Sequence, residues 1–158
     1  MLHVFKSLPV AVEIHRLDAL PARADGYRRD LVALGWEDRL KGRGRRVSDE
    51  GLEFGTTLPR GAILRDGDCF VLDGPRAVVV VTEREEPVFV IDPGSPAEWG
   101  RIAYHIGNNH QPMMIATGCI VCPDVPGMAM LLAQHQIAFS RALRPFTPIG
   151  LTPDHRHI

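Results

Sequence analysis

Cysteine is scarce in this chain. Its three thiols, Cys69, Cys119 and Cys122, are too few and too unevenly placed for a disulfide framework, which points to a reducing cytoplasm. Aromatic residues make up only 6% of the sequence, and that scarcity weakens any platform for stacking single-stranded nucleic acid. Neither sign of charge prevails. The formal net charge is −1, so no global field argues for nucleic acid or a membrane surface as partner. No apolar run approaches the ~20 residues of a membrane span, and Met1-Leu-His-Val-Phe-Lys6 puts no charged leader before a long apolar stretch. Also missing are Gly-x-Ser-x-Gly, a Gly-rich phosphate loop, and any Cys or Ser with an evident His/Asp partner. Nucleophilic catalysis therefore gets little support from the sequence.

What is present suffices for packed cores: 45% of the 158 residues are hydrophobic, a length that suits one domain or two small ones. Residues 1–84 read as an all-β domain. Val10–Ile14, Asp30–Leu34, Ala62–Leu64, Cys69–Leu72 and Ala77–Val81 are short apolar runs. Arg45–Val47 and Leu52–Phe54 flank the turn signal Ser48-Asp-Glu-Gly51, and Asp66-Gly67 and Asp73-Gly74 mark further turns. Short strands at close spacing predict a small sandwich or barrel. Cys69 lies in an apolar strand and reads as a buried small hydrophobe. Arg39, Lys41, Arg43, Arg45 and Arg46 form one basic cluster. Gly42 and Gly44 interleave it and acidic residues flank it, so it reads as a solvated hairpin arm.

Glu83-Arg-Glu-Glu-Pro87 marks a boundary, after which the pattern changes. Val88–Ile91 is apolar on both faces, as a central strand would be. Ser95 is a good N-cap, Pro96 suits the first helical position, and Glu98 completes a capping box. Trp99, Ile102, Ala103 and Ile106 then recur at helical spacing. Gly107-Asn108 is a stop signal, because both residues tolerate the left-handed conformation. Strands are predicted at Pro112–Ala116 and Cys119–Cys122, and a second helix capped by Asp124 follows, with Met128, Leu131, Leu132 and Phe139 on its apolar face. Arg141–Phe146 supplies a last strand. The order β-α-β-β-α-β over residues 85–147 is that of the ferredoxin-like fold. The fold class is thus α+β, an N-terminal all-β domain before a ferredoxin-like one. Residues 148–158 form a loose tail carrying His155-Arg156-His157.

Seven histidines are the main chemical resource. His3 and His15 fall in the β part and read as incidental; His135, on an apolar stripe, reads as a satisfied core residue. His105 lies in the first helix and His110 just beyond it. On one continuous helix they would point roughly 140° apart, so sharing an ion requires the chain to leave the helix or a second subunit to supply a ligand. The tail's His155 and His157 alternate, so in an extended chain both imidazoles face one way. Imidazole suits Ni, Cu and Zn. Cys119 and Cys122 stand three apart in a strand and would face opposite sides, and no second Cys pair completes a zinc site. Met113 and Met114 read as packing residues.

Ala103-Tyr-His-Ile-Gly-Asn-Asn-His110 resembles the signature of the UreE-type urease accessory proteins, the nickel metallochaperones. Leu34-Gly-Trp-Glu-Asp-Arg39 with its basic continuation, and Leu58-Pro-Arg-Gly-Ala-Ile-Leu-Arg-Asp-Gly-Asp68, resemble that family's N-terminal domain. The likeness runs over about residues 30–147. It implies a peptide-binding-like β domain, a metal-binding and dimerising C-terminal domain, and a homodimer. That dimer would deliver Ni²⁺ (Zn²⁺ or Cu²⁺ being able to take its place) to the urease apoprotein complex together with a UreG-type GTPase. His110 corresponds to the family's central nickel ligand, given by both subunits; His105 matches a position that is His in some members only. The usual Asn-Arg-His reads Asn108-Asn109-His110 here. Where some members carry auxiliary histidines, this chain has Cys119, Cys122 and Asp124, and its tail offers only His155 and His157. Two other readings stand beside this one: a zinc or copper carrier or sensor using Cys119 and Cys122, and a metal-independent peptide-binding adaptor.

Overall fold

In the computed structural model, which describes residues 7–150, the chain divides into two units between Glu83 and Arg84. The first is built from β1 (Val10–Ala11), β2 (His15–Arg16), β3 (Arg28–Leu34), α1 (Trp36–Arg39), β4 (Arg43–Val47), β5 (Glu53–Thr57), β6 (Asp68–Leu72) and β7 (Ala77–Glu83). One three-stranded sheet runs β1-β5-β4 and one four-stranded sheet runs β2-β6-β7-β3. Alternation then fixes the packing. Phe54 of one sheet meets Phe70, Leu72, Val79 and Val81 of the other in a common core. Val78 and Val80 turn to the opposite face, where Cys69 and Ala24 cover them. Burial on both sides explains the unbroken apolar run of β7.

Three departures from the sequence reading occur in this unit. Ala62–Leu64 forms no strand; Leu64 is buried in the core all the same, its N–H donating to Arg39 O (2.9 Å). Trp36–Arg39 makes a single helical turn inside the β unit. The basic cluster is not a solvated arm throughout. Arg39 is fully buried, its guanidinium donating to Leu34 O (3.3 Å), Leu64 O (3.5 Å) and Glu83 (3.3 Å). Arg46 is also buried and donates to Thr56 Oγ1, Asp38 O and Lys41 O. A guanidinium carries five donors in a fixed fork, so carbonyls gathered from several loops can satisfy it where water cannot reach.

The second unit comprises β8 (Glu86–Ile91), α2 (Pro96–Asn108), β9 (Met114–Ala116), β10 (Cys119–Pro123), α3 (Met128–Gln134) and β11 (Ser140–Arg144). Its sheet runs β11-β8-β10-β9 with every pair antiparallel, which is the ferredoxin-like arrangement. Phe89, Ile91, Ile120 and Cys122 pack under Ile102 and Ile106 of α2 and Met128, Leu131 and Leu132 of α3. The α2 start follows the sequence: Ser95 Oγ accepts from Glu98 N–H (3.2 Å) with Pro96 behind it. Only half of the capping box forms, because the Glu98 carboxylate goes to Arg101 instead. Asp124 does not cap α3. Gly127, at φ 89°, holds that position, and Asp124 pairs with Arg141 (3.0 Å).

On the face away from the helices Val88 and Val121 are also buried. Past β11, Phe146 is fully buried, Thr147 N–H donates to Met114 Sδ (3.4 Å), and Ile149 N–H donates to Met113 O (2.8 Å). The chain after β11 thus crosses from one edge of the sheet to the strand at the other. Among the described residues no helix is long and apolar enough to cross a membrane.

Candidate metal-binding site

The end of α2 differs from the sequence expectation in a way that bears on His110. Gly107 and Asn108 remain helical, and Asn109 is the C-cap. The left-handed residue is His110, at φ 55°. Its N–H donates to Gly107 O (3.0 Å) and Gln111 N–H donates to Ile106 O (3.1 Å). These two bonds are the Schellman pattern, with histidine at the position glycine usually takes. Left-handed backbone costs a side-chain-bearing residue ~1–2 kcal/mol. Gln136 closes α3 in the same way, at φ 55° with Ile137 N–H on Leu132 O. The turn is therefore a habit of this unit's helix ends, and the imidazole is what distinguishes α2's. His110 is exposed, at the end of α2 where the helix dipole is negative and favours a cation. Asn109 Nδ2 donates to His105 O (2.7 Å), a carbonyl that also accepts the Asn109 backbone N–H (3.3 Å).

His105 sits partly exposed in the last turn of α2, and its ring stacks on that of His135 with centroids 3.8 Å apart and planes at 16°. Tyr104 meets the same ring edge-on at 5.4 Å. Burial, then His135 and Arg101, push the His105 pKa down, toward the neutral imidazole. His135 is not the core residue the sequence suggested. Helix α3 stops at Gln134, which leaves His135 as its C-cap, half-buried. Arg101 fixes this corner: its guanidinium grips Glu98 through two bonds (3.0 and 2.8 Å) and donates to His135 O (2.9 Å). The His105–His135 meeting is the feature sequence reasoning missed. No local spacing signals it, since only the split βαββαβ topology brings the two helix ends together.

The thiols offer little to a metal. Cys122 lies in the helix-side core, where burial pushes its pKa up to about 12, far from the thiolate a ligand needs. Cys119, three residues away on the same strand, faces the other side and accepts a weak bond from Arg144 (3.8 Å). Met113 is in the core and Met114 holds the Thr147 N–H. His3, His155 and His157 lie outside the described residues. Among the described residues no three His, Cys, Asp or Glu side chains gather where they could hold an ion.

Comparison with known proteins follows the same division of the chain. Residues 13–83 match the UreE urease accessory protein N-terminal domain, and residues 86–157 match the UreE urease accessory protein C-terminal domain. The urease accessory proteins UreE of Burkholderia thailandensis and Burkholderia mallei are each 34% identical over 139 residues, 88% of this chain. The chain spans 62% and 66% of those relatives' own lengths, just under two thirds. With both domains of one family matched in order along nearly the whole sequence, the chain belongs to the UreE urease accessory protein family.

Proposed function

We propose that this protein is a cytoplasmic, non-catalytic carrier that binds Ni²⁺ as cargo and delivers it to the urease apoprotein, working with a UreG-type GTPase. The observation that carries this reading is His110: an exposed imidazole at the negative end of α2, in the C-terminal domain of a urease accessory family. One imidazole is too few donors for a stable divalent ion. A homodimer with its two-fold axis near His110 doubles the number, since an isologous contact brings identical residues together. Further donors come from the tail. Ile149 is tied to Met113 O, three residues from His110. We assign these donors to His155 and His157, six and eight residues further along the sequence from that anchor. An open set of imidazoles suits a carrier, which must give its ion up, and nickel, copper and zinc all accept such ligands.

The test is transfer. Ni²⁺-loaded protein is expected to activate urease apoprotein in the presence of a chelator that suppresses activation by free Ni²⁺. Equal activation by loaded protein and by the same total Ni²⁺ alone would overturn the reading.

A further inference from the structure

The His105–His135 pair has the makings of a site separate from His110. The two imidazoles come from the ends of different helices, both are partly exposed, and their rings are already 3.8 Å apart. Both are placed by structure that does not depend on a metal. His105 is held in the last turn of α2, between the buried residues Ile102 and Ile106. His135 is held by the Schellman closure of α3 and by Arg101 on its carbonyl. Arg101, paired through two bonds with Glu98, positions the corner, and the charge it still presents to the His105 ring keeps any cation there weakly held.

We propose that His105 and His135 together form a second, weaker site for a borderline divalent cation such as Ni²⁺, Cu²⁺ or Zn²⁺. It deepens the carrier reading above by assigning His105 to His135 rather than to His110. Imidazole nitrogens bind such ions at ~2.0–2.1 Å through lone pairs lying in the ring plane. Two nearly parallel planes do not aim their lone pairs at one point, so binding must splay the stack by rotation of the side chains. Water fills the remaining positions. Two ligands and an opened stack make a low-affinity, fast-exchanging site, suited to taking up an ion before the shared His110 site holds it.

The experiment uses the full-length chain carrying His110→Ala, His155→Ala and His157→Ala, so that neither the His110 site nor the tail reports. Calorimetric titration with Ni²⁺ is expected to retain one weak event per chain. Adding either His135→Phe or His105→Phe, each of which keeps an aromatic ring in the stack, should weaken that event by about tenfold or more. Circular dichroism should show the fold unchanged in both. Absence of the weak event, or its survival at full strength in folded His135→Phe and His105→Phe, overturns the proposal. The His110 reading stands or falls on the His110→Ala variant alone, so the two failures are distinguishable.

Discussion

Replacing His110 with glycine should separate stability from metal binding. His110 adopts φ 55°, a conformation that its Cβ resists and that glycine accepts freely. Relief of that strain is worth ~1–2 kcal/mol, and the extra freedom glycine gives the unfolded chain takes back ~0.5–1 kcal/mol. The net gain is about 0.5–1 kcal/mol, or ~2–8 °C in the midpoint of a unit this small. Both Schellman bonds use backbone atoms only, so they survive the change. The assay is thermal unfolding of the metal-free protein, followed by Trp99 fluorescence in a Trp36→Phe background, since Trp99 packs against the core of the C-terminal unit. Gln136→Gly, at the same position of α3, is the internal control and should gain by a similar amount. A His110→Gly protein that unfolds below the parent while Gln136→Gly gains would refute the strain argument. It would mean that the His110 side chain stabilises the metal-free fold through contacts of its own.

Arg39→Met should cost about 3–5 kcal/mol in urea unfolding, because it strips the donors from Leu34 O, Leu64 O and Glu83 in a closed interior; a cost under ~1 kcal/mol would contradict that role. Alkylation of the native protein at pH 8 should spare Cys122, whose thiol is pushed up to about 12, and should label it only in denaturant; rapid native labelling would contradict its burial. Glu98 has its pKa lowered by the hydrogen bond from Arg101, so its contribution is present above the unfolded value of ~4.3 and lost as pH falls through the lower folded value. Glu98→Gln should therefore flatten the acid limb of the stability profile in that window, and an unchanged limb would argue against the pairing.

The strands of the C-terminal unit and the start of α2 were legible because their signals are local. Ser95-Pro96-x-Glu98 names a helix start without reference to the rest of the chain, and the four apolar strand segments fall in the order that the observed sheet requires. Signals that depend on distant partners were not legible. Gly107 and Asn108 look like a stop, yet the helix runs through them, because Ile106 O finds its donor in Gln111 and the turn can be made at His110. Arg39 and Arg46 look like surface charge until loops from elsewhere bring carbonyls to them. Asp124 looks like a cap until β11 delivers Arg141. His110 stood out in the sequence because it lies just past a helix, whereas its left-handed backbone and the His105–His135 stack belong to tertiary structure.

The central claim is that His110, one copy from each subunit, holds the tightest Ni²⁺. Its most direct test is calorimetric titration of full-length His110→Ala with Ni²⁺ beside the parent, both at the same pH and ionic strength. The account predicts a folded protein whose tightest binding event is lost, with only weaker events remaining. A folded His110→Ala protein that takes up its first Ni²⁺ with the affinity of the parent would contradict it.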